Sequence, residues 1–131
     1  MKLTNLQLLI FIYSMASAPF AFASNLPPTI PGWTLIAIDT PGKNVFYGKD
    51  DSVKLDSKGI SVLFQVVKED SSVNYIVMFI GRNTCKAGYG EMTVSSVSGK
   101  IIGNSDYVKG GLSLGSKIGD FLCYGIEKLG K

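Results

Sequence analysis

Residues 60–80 read ISVLFQVVKEDSSVNYIVMFI, two long apolar segments that are joined by four polar residues. Each segment has fewer than ten residues and is rich in β-branched and aromatic side chains, which favours strands over a pair of buried helices. The polar residues 69–72 have the length of a hairpin connection. Because both segments are nearly continuous in hydrophobicity, we expect them to be central strands of a sheet, covered on both faces.

Shorter strand patterns flank this hairpin. Residues 33–39 (WTLIAID) alternate as a first strand does, and residues 45–47 (VFY) predict a second one. Residues 52–56 are expected to pair briefly. Residues 91–97 (EMTVSSV) and 100–102 (KII) predict a second hairpin nearer the edge of the sheet.

The last segment changes from a strand period to a helical one. Ser116 is the expected N-cap of a helix over residues 117–129, and Gly130 is expected to end it. Asp120 would then lie in the first turn, where a carboxylate interacts favourably with the helix dipole. The apolar positions fall on one face of this helix: Ile118, Phe121, Leu122, Ile126 and Leu129. The predicted fold is α+β, a small antiparallel β-sheet with a packed C-terminal α-helix.

Residues 1–23 have the pattern of an export signal. Lys2 precedes an uncharged, mostly apolar stretch over residues 8–22. A transmembrane anchor is the alternative, but the stretch falls short of the roughly 20 residues that span a bilayer. Small residues at the end of the signal predict cleavage between Ala23 and Ser24. No cysteine lies at this point, so we expect no lipid anchor and a periplasmic or secreted protein.

Cleavage would leave an extended, proline-rich leader at residues 24–32 and a single α+β domain at residues 33–131. The whole chain carries 13 lysines and arginines against 10 aspartates and glutamates, a net charge of +3, and Arg82 is its sole arginine. Nucleic-acid sites usually combine arginine with a basic stripe, and electrostatic binding to a membrane surface needs a polybasic patch. We therefore expect no nucleic-acid partner and no stable membrane anchor after cleavage.

Cys85 and Cys123 are the two cysteines of the chain. In an oxidising compartment we expect them to form one disulfide, between a short link after the second central strand and the predicted helix. Their separation of 38 residues, without a C-x-x-C motif, argues against a redox pair. In the chain-entropy model, closing a loop of this length raises the free energy of unfolding by about 3.9 kcal/mol. Free thiols or an intermolecular bridge are the alternatives.

The chain contains no histidine, which removes Ser-His-Asp and Cys-His catalysis and imidazole-based metal sites. Its paired acids fall in polar turns and do not alternate as a calcium loop requires. Glu91, beside the predicted glycine-rich turn 88–90, is the strongest candidate for a catalytic acid. The glycine-rich connector 110–115 matches no nucleotide-binding loop. We expect a protein that is not an enzyme and that uses no cofactor and no metal.

Four residues in or beside the predicted loops mark a candidate binding surface. Tyr89 and Tyr107 lie close in the chain to Lys86 and Lys109. Surfaces that combine tyrosine with lysine suit contacts with a protein or a glycan. Ordinary packing at the edge of the sheet is the alternative.

Several short motifs follow one another in a characteristic order. They are Trp33 in the first strand, a turn with Tyr47, Asp50, Ser52 and Val53, the Cys85-Lys86 pair after the hairpin, and Cys123 on the terminal helix. In this order the chain resembles the surface-adhesin protein E-like family of small exported bacterial proteins. The resemblance implies an antiparallel sheet with a packed helix, a disulfide between elements, and adhesion to host matrix proteins.

These patterns predict an exported, non-enzymatic binding or accessory protein of the bacterial envelope, and the resemblance adds an adhesin-like role. The partner would be a protein or a glycan. The alternatives are a subunit of an envelope secretion or conjugation assembly and, less favoured, a small hydrolase that uses Glu91 as its acid.

Overall fold

The computed structural model describes residues 27–39 and 43–130 of the chain. The predicted signal peptide at residues 1–23 and its cleavage point between Ala23 and Ser24 lie outside the described residues. Within the described residues, seven strands form one antiparallel sheet, and two helices follow the fifth and the seventh strand.

The strands are β1 (Trp33–Asp39), β2 (Asn44–Lys49), β3 (Lys54–Leu55), β4 (Gly59–Val67), β5 (Val73–Gly81), β6 (Tyr89–Ser95) and β7 (Ile101–Val108). The helices are α1 (Arg82–Ala87) and α2 (Leu114–Leu129). The order across the sheet is β1-β2-β4-β5-β6-β7, with β3 paired to β4. The predicted α+β fold, an antiparallel sheet with a packed C-terminal helix and one disulfide, is confirmed.

The central hairpin forms as its sequence predicts. β4 and β5 pair along their whole length, and the last pair before the turn is Val67 opposite Val73. In the turn, Asp70 accepts hydrogen bonds from the hydroxyl and the backbone N–H of Ser72, at 2.6 and 2.9 Å. These bonds favour the charged carboxylate and hold the pKa of Asp70 below its usual range.

One face of the sheet packs against α2 and forms the hydrophobic core. Alternate residues of the strands point into this face, because successive side chains of a strand lie on opposite sides. The helix contributes one apolar stripe, as its 3–4 residue spacing predicts. The core consists mainly of Ile60, Val62, Phe64, Met78, Ile80, Met92, Tyr107, Ile118, Phe121 and Leu122.

The opposite face of the sheet, which we call the open face, is not covered as we expect for central strands. On it, Leu63 and Val77 are partly buried and Tyr75 is 49% exposed. The expectation that both faces are covered is wrong for the described residues. They provide one long helix, and that helix lies on the core side.

α2 begins earlier than its sequence predicts. Ser113 is the N-cap in place of Ser116, since its Oγ accepts a hydrogen bond from the backbone N–H of Ser116 at 3.0 Å. Ser116 is buried, and its own Oγ accepts from the N–H of Val108 on β7 at 3.0 Å. Asp120 consequently lies in the second turn and not in the first. The predicted end of the helix, before Gly130, is confirmed.

The predicted link after β5 is the helix α1. It begins directly after Gly81 and stops at Gly88, which adopts a left-handed conformation with φ of 83°. The N–H of Gly88 closes the helix with a hydrogen bond of 2.9 Å to the carbonyl of Thr84. Because β6 then starts at Tyr89, residues 88–90 are a helix end and a strand start and do not form the predicted turn.

The last strand is also longer than predicted. β7 continues to Val108, whereas the sequence pattern stops at residue 102. Its polar residues pair with β6 along this extension, and Tyr107 anchors it in the core. Burial of that one aromatic side chain compensates for the weak strand propensity of Asn104 and Asp106.

Candidate binding surface

Cys85 on α1 and Cys123 on α2 form the predicted disulfide, with Cα atoms 5.5 Å apart. The bridge therefore joins two helices. Gly119 and Gly125 each lower the intrinsic helix propensity of α2 by roughly 1 kcal/mol relative to alanine. The disulfide and the packing on the sheet together hold this helix in place.

A cleft of about 450 Å³ lies beside the disulfide. Besides the two cysteines, its main lining side chains are Tyr107, Lys109, Asp120, Tyr124 and Glu127. The Nζ atom of Lys128 lies 5.4 Å from the centre of the Tyr124 ring, in a cation–π contact. The cleft thus combines both signs of charge with an aromatic ring.

Tyr107 borders this cleft from below and is not a surface residue. It is 1% exposed, and its hydroxyl donates a hydrogen bond of 2.8 Å to Oδ1 of Asp120. The other carboxylate oxygen of Asp120 accepts from the backbone N–H of Gly110 at 3.1 Å. Burial, together with the hydrogen bond to Asp120, raises the pKa of Tyr107 above its ordinary value. The register of β7 turns this side chain toward the core, so the structure places it beneath the predicted surface.

The other three predicted surface residues lie at one end of the sheet. Tyr89 begins β6 and is 69% exposed, and it stands opposite Val108 of β7, which is 55% exposed. Lys86 lies in the last turn of α1. Lys109 directly follows β7, and its N–H bonds to the carbonyl of Gly88 at 2.8 Å. We call Lys86, Tyr89, Val108 and Lys109 the Tyr89 surface.

Val108 is the member of the Tyr89 surface that the sequence pattern does not identify. The pattern predicts that the last strand stops at residue 102, which leaves Val108 in a connector. Asp106 and Val108 are exposed and Tyr107 between them is buried, an alternation that follows from the pairing with β6 and not from the residue types.

Glu91, the candidate catalytic acid, lies on β6 opposite Asp106 of β7. Both side chains point to the open face, because Met92 and Tyr107 next to them are buried in the core. Both acids are exposed on the sheet, whereas a substrate is usually bound in a cleft. Like charges that face each other on paired strands weaken the pairing slightly.

Within residues 27–39 and 43–130, no three side chains of histidine, cysteine, aspartate or glutamate come together as a metal ion would require. In the same part of the chain, no helix is both long enough and apolar enough to cross a bilayer. Comparisons with known protein families, with curated proteins and with solved structures give no match to this chain.

Proposed function

We propose that this chain is an exported, non-enzymatic binding protein of the bacterial envelope that contacts a protein or a glycan through the Tyr89 surface. The observation that carries the proposal is the exposure of Tyr89 and Val108 side by side at the end of the sheet. Tyrosine offers a large, rigid contact area with a polar tip and is enriched at interfaces. Lys86 and Lys109 lie near this pair and supply donors for carbonyl, carboxylate or sugar oxygens.

A periplasmic or secreted location fits this role. Disulfides such as Cys85–Cys123 persist in oxidising compartments and are rare in the cytosol. The predicted signal peptide supplies the route of export, and its cleavage point has no cysteine for a lipid anchor. An adhesin-like role, in contact with host matrix proteins, is the finer form of the proposal. It rests on the resemblance to the surface-adhesin protein E-like family.

Site-specific photo-crosslinking tests the proposal for a protein partner. A photoreactive phenylalanine derivative replaces Tyr89 in the exported protein. The same derivative at Val97, which is 64% exposed and lies between β6 and β7, is the matched control. Irradiation of intact cells, alone and with matrix proteins, should give a discrete product with a different protein from position 89. Position 97, which lies beside Leu63 and Val77, should give no product with that protein.

Two further readouts complete this test. If the partner is a glycan, the protein should bind a glycan array and Tyr89→Ala should lose that binding, whereas Val97→Ala should retain it. A subunit of a secretion or conjugation assembly would instead cross-link to one membrane protein of the envelope, with one copy of that protein for each copy of this chain. The proposal is contradicted when position 89 gives no product and Tyr89→Ala binds the array as well as the unchanged protein does.

A further inference from the structure

The open face of the sheet divides into two chemically different halves. Along the middle of β6 and β7 it carries polar and acidic residues, including Glu91 and Asp106, and Tyr89 and Val108 lie at one end of these strands. On the other strands it carries a set of uncharged side chains that we call the apolar patch: Ile38, Leu63, Val67, Val73, Tyr75 and Val77. Antiparallel sheets that face water on one side usually alternate apolar and polar residues, and the apolar patch departs from that rule. Apolar patches bordered by polar residues mark interaction sites.

Two tyrosines lie in one row across the open face, and they differ in exposure because the leader covers only one of them. Tyr47 of β2 and Tyr75 of β5 both face Gln65 of β4, from opposite sides. Tyr47 is 2% exposed, and its hydroxyl donates to the carbonyl of Pro28, at 2.7 Å, in the leader that precedes β1. Tyr75 is 49% exposed, although its ring also meets the ring of Trp33, with centroids 6.0 Å apart. The leader therefore covers the β2 side of the face, and the described residues leave the β5 side open.

We propose that a second copy of this chain covers the apolar patch, so that two sheets pack face to face about a two-fold axis. A two-fold interface uses the same patch on both copies, and an uncharged patch meets its own copy without like-charge repulsion. Two lysines of the open face lie at the border of the patch. Lys49 is paired, since its Nζ lies 2.8 Å from Oδ1 of Asp51. Lys54 is exposed on β3 beside Leu63 and Val77, where it can stay in solvent at the rim of the interface. Sheets pack at about 10 Å from each other, a spacing that branched and aromatic side chains fill.

The charges around the patch favour this occupant over a lipid surface. Anionic bilayers attract polybasic segments. The acidic Glu91 and Asp106 lie on the same face of the sheet as the patch and would approach the headgroups together with it. A second copy can keep these acidic halves in solvent, at the rim of the interface, where exposed charges cost little.

The size of the patch sets the expected strength of the dimer. Four strands about 4.8 Å apart, over about 20 Å of their length, give a flat area of roughly 400 Å² per copy. A standard interface buries about 800 Å² of accessible surface per partner. Side-chain relief increases the accessible area above the flat value but does not make this a large interface. We therefore expect a weak dimer that forms with rising concentration.

Analytical ultracentrifugation of the exported, disulfide-bonded protein tests this inference. From low micromolar to near-millimolar concentration, the weight-average mass should rise from one chain toward two. Val77→Lys places an ammonium group within the patch, beside Leu63, so it should raise the dimer Kd by more than about tenfold. Tyr75→Lys is a second variant at a more exposed position, in case Val77→Lys unfolds. Asn104→Lys, on the polar half of the same face, adds the same charge and should leave the dimer Kd within about twofold.

The sedimentation results test the dimer separately from the Tyr89 surface, because that surface lies at the end of β6 and β7 that is distant from the apolar patch. A mass that rises with concentration, falls back in Val77→Lys or Tyr75→Lys and persists in Asn104→Lys supports it. A single-chain mass at every concentration overturns it, as does a dimer that both patch variants retain. Co-sedimentation with neutral phosphatidylcholine vesicles without self-association also overturns it, because lipid would then be the occupant. Cross-linking from position 89 is unaffected by any of these outcomes.

Discussion

Replacing Gly119 with alanine tests the contact between α2 and Tyr107 of the sheet. Gly119 is buried against the ring of Tyr107, and a Cβ atom at this position would lie 2.7 Å from Cε1 of that ring and closer still to Cδ1. Real Cβ atoms do not approach neighbouring atoms this closely, so either the ring or the helix must shift. The ring is 1% exposed and its hydroxyl is held by Asp120, so the shift disturbs the core.

Two opposing effects set the size of the change. Alanine is about 1 kcal/mol more favourable than glycine inside a helix. Forcing extra volume into a packed core typically costs about 1–3 kcal/mol. Since the ring is buried and its hydroxyl is held by Asp120, we expect a cost near the top of that range. The free energy of unfolding should therefore fall by about 1–2 kcal/mol in Gly119→Ala, although helix propensity alone predicts a gain.

Urea denaturation of the disulfide-bonded protein, followed by circular dichroism, measures this change. The same substitution in a Tyr107→Val background is the control, because valine has no atom at the δ and ε positions where the conflict lies. In that background Gly119→Ala should be neutral or stabilising by up to about 1 kcal/mol. Stabilisation in the otherwise unchanged protein would refute the reasoning, and so would equal losses in the two backgrounds.

Three further predictions follow from individual contacts. The double variant Cys85→Ala and Cys123→Ala should lose about 2–4 kcal/mol of unfolding free energy, and an unchanged urea midpoint would contradict a stabilising disulfide. Because burial raises the pKa of Tyr107 in the folded protein, unfolding free energy should fall as pH rises above about 10, the pKa of an unfolded tyrosine. Tyr107→Phe should flatten this fall, and identical slopes in alkaline urea titrations would count against it. Ser113→Ala removes the N-cap of α2 and should cost about 1 kcal/mol in thermal denaturation, whereas an unchanged melting temperature would argue against that cap.

The central hairpin could be predicted because its signals are local. Residues 60–80 combine β-branched and aromatic segments with a polar link, and the two segments pair along their whole length. The disulfide could also be predicted, since two cysteines can pair within one chain in only one way. In both cases the residue types alone are enough to predict the structure that forms.

The start of α2 depends on a tertiary contact that a sequence pattern does not contain. Ser113 and Ser116 can each cap a helix, and both precede apolar residues at helical spacing. The N–H of Val108 on β7 donates a hydrogen bond to the hydroxyl of Ser116. Ser116 therefore does not cap the helix, and Ser113 is the N-cap. Likewise, α1 has no helical apolar period of its own, and its bounds follow from the conformations of the glycines at its two ends.

The candidate surface was predicted only in part, because exposure along a strand depends on register. A shift of one residue moves every side chain of a strand to the other face. Tyr107 and Val108 are neighbours in the chain, yet one is 1% exposed and the other 55%. Their assignment needs the pairing with β6, which residue types near the chain end do not reveal.

The disulfide also determines what a protease can do to this protein. Cys85 precedes β6 and Cys123 follows β7, so the covalent ring encloses that whole hairpin. Residues 97–100, which connect the two strands, are exposed and accessible to cleavage. A single cut there would produce two fragments that stay linked through sulfur and paired through the sheet. On a gel such a nicked protein would migrate as one species until a reductant is added, so one bridge makes the fold resistant to a break in its own backbone.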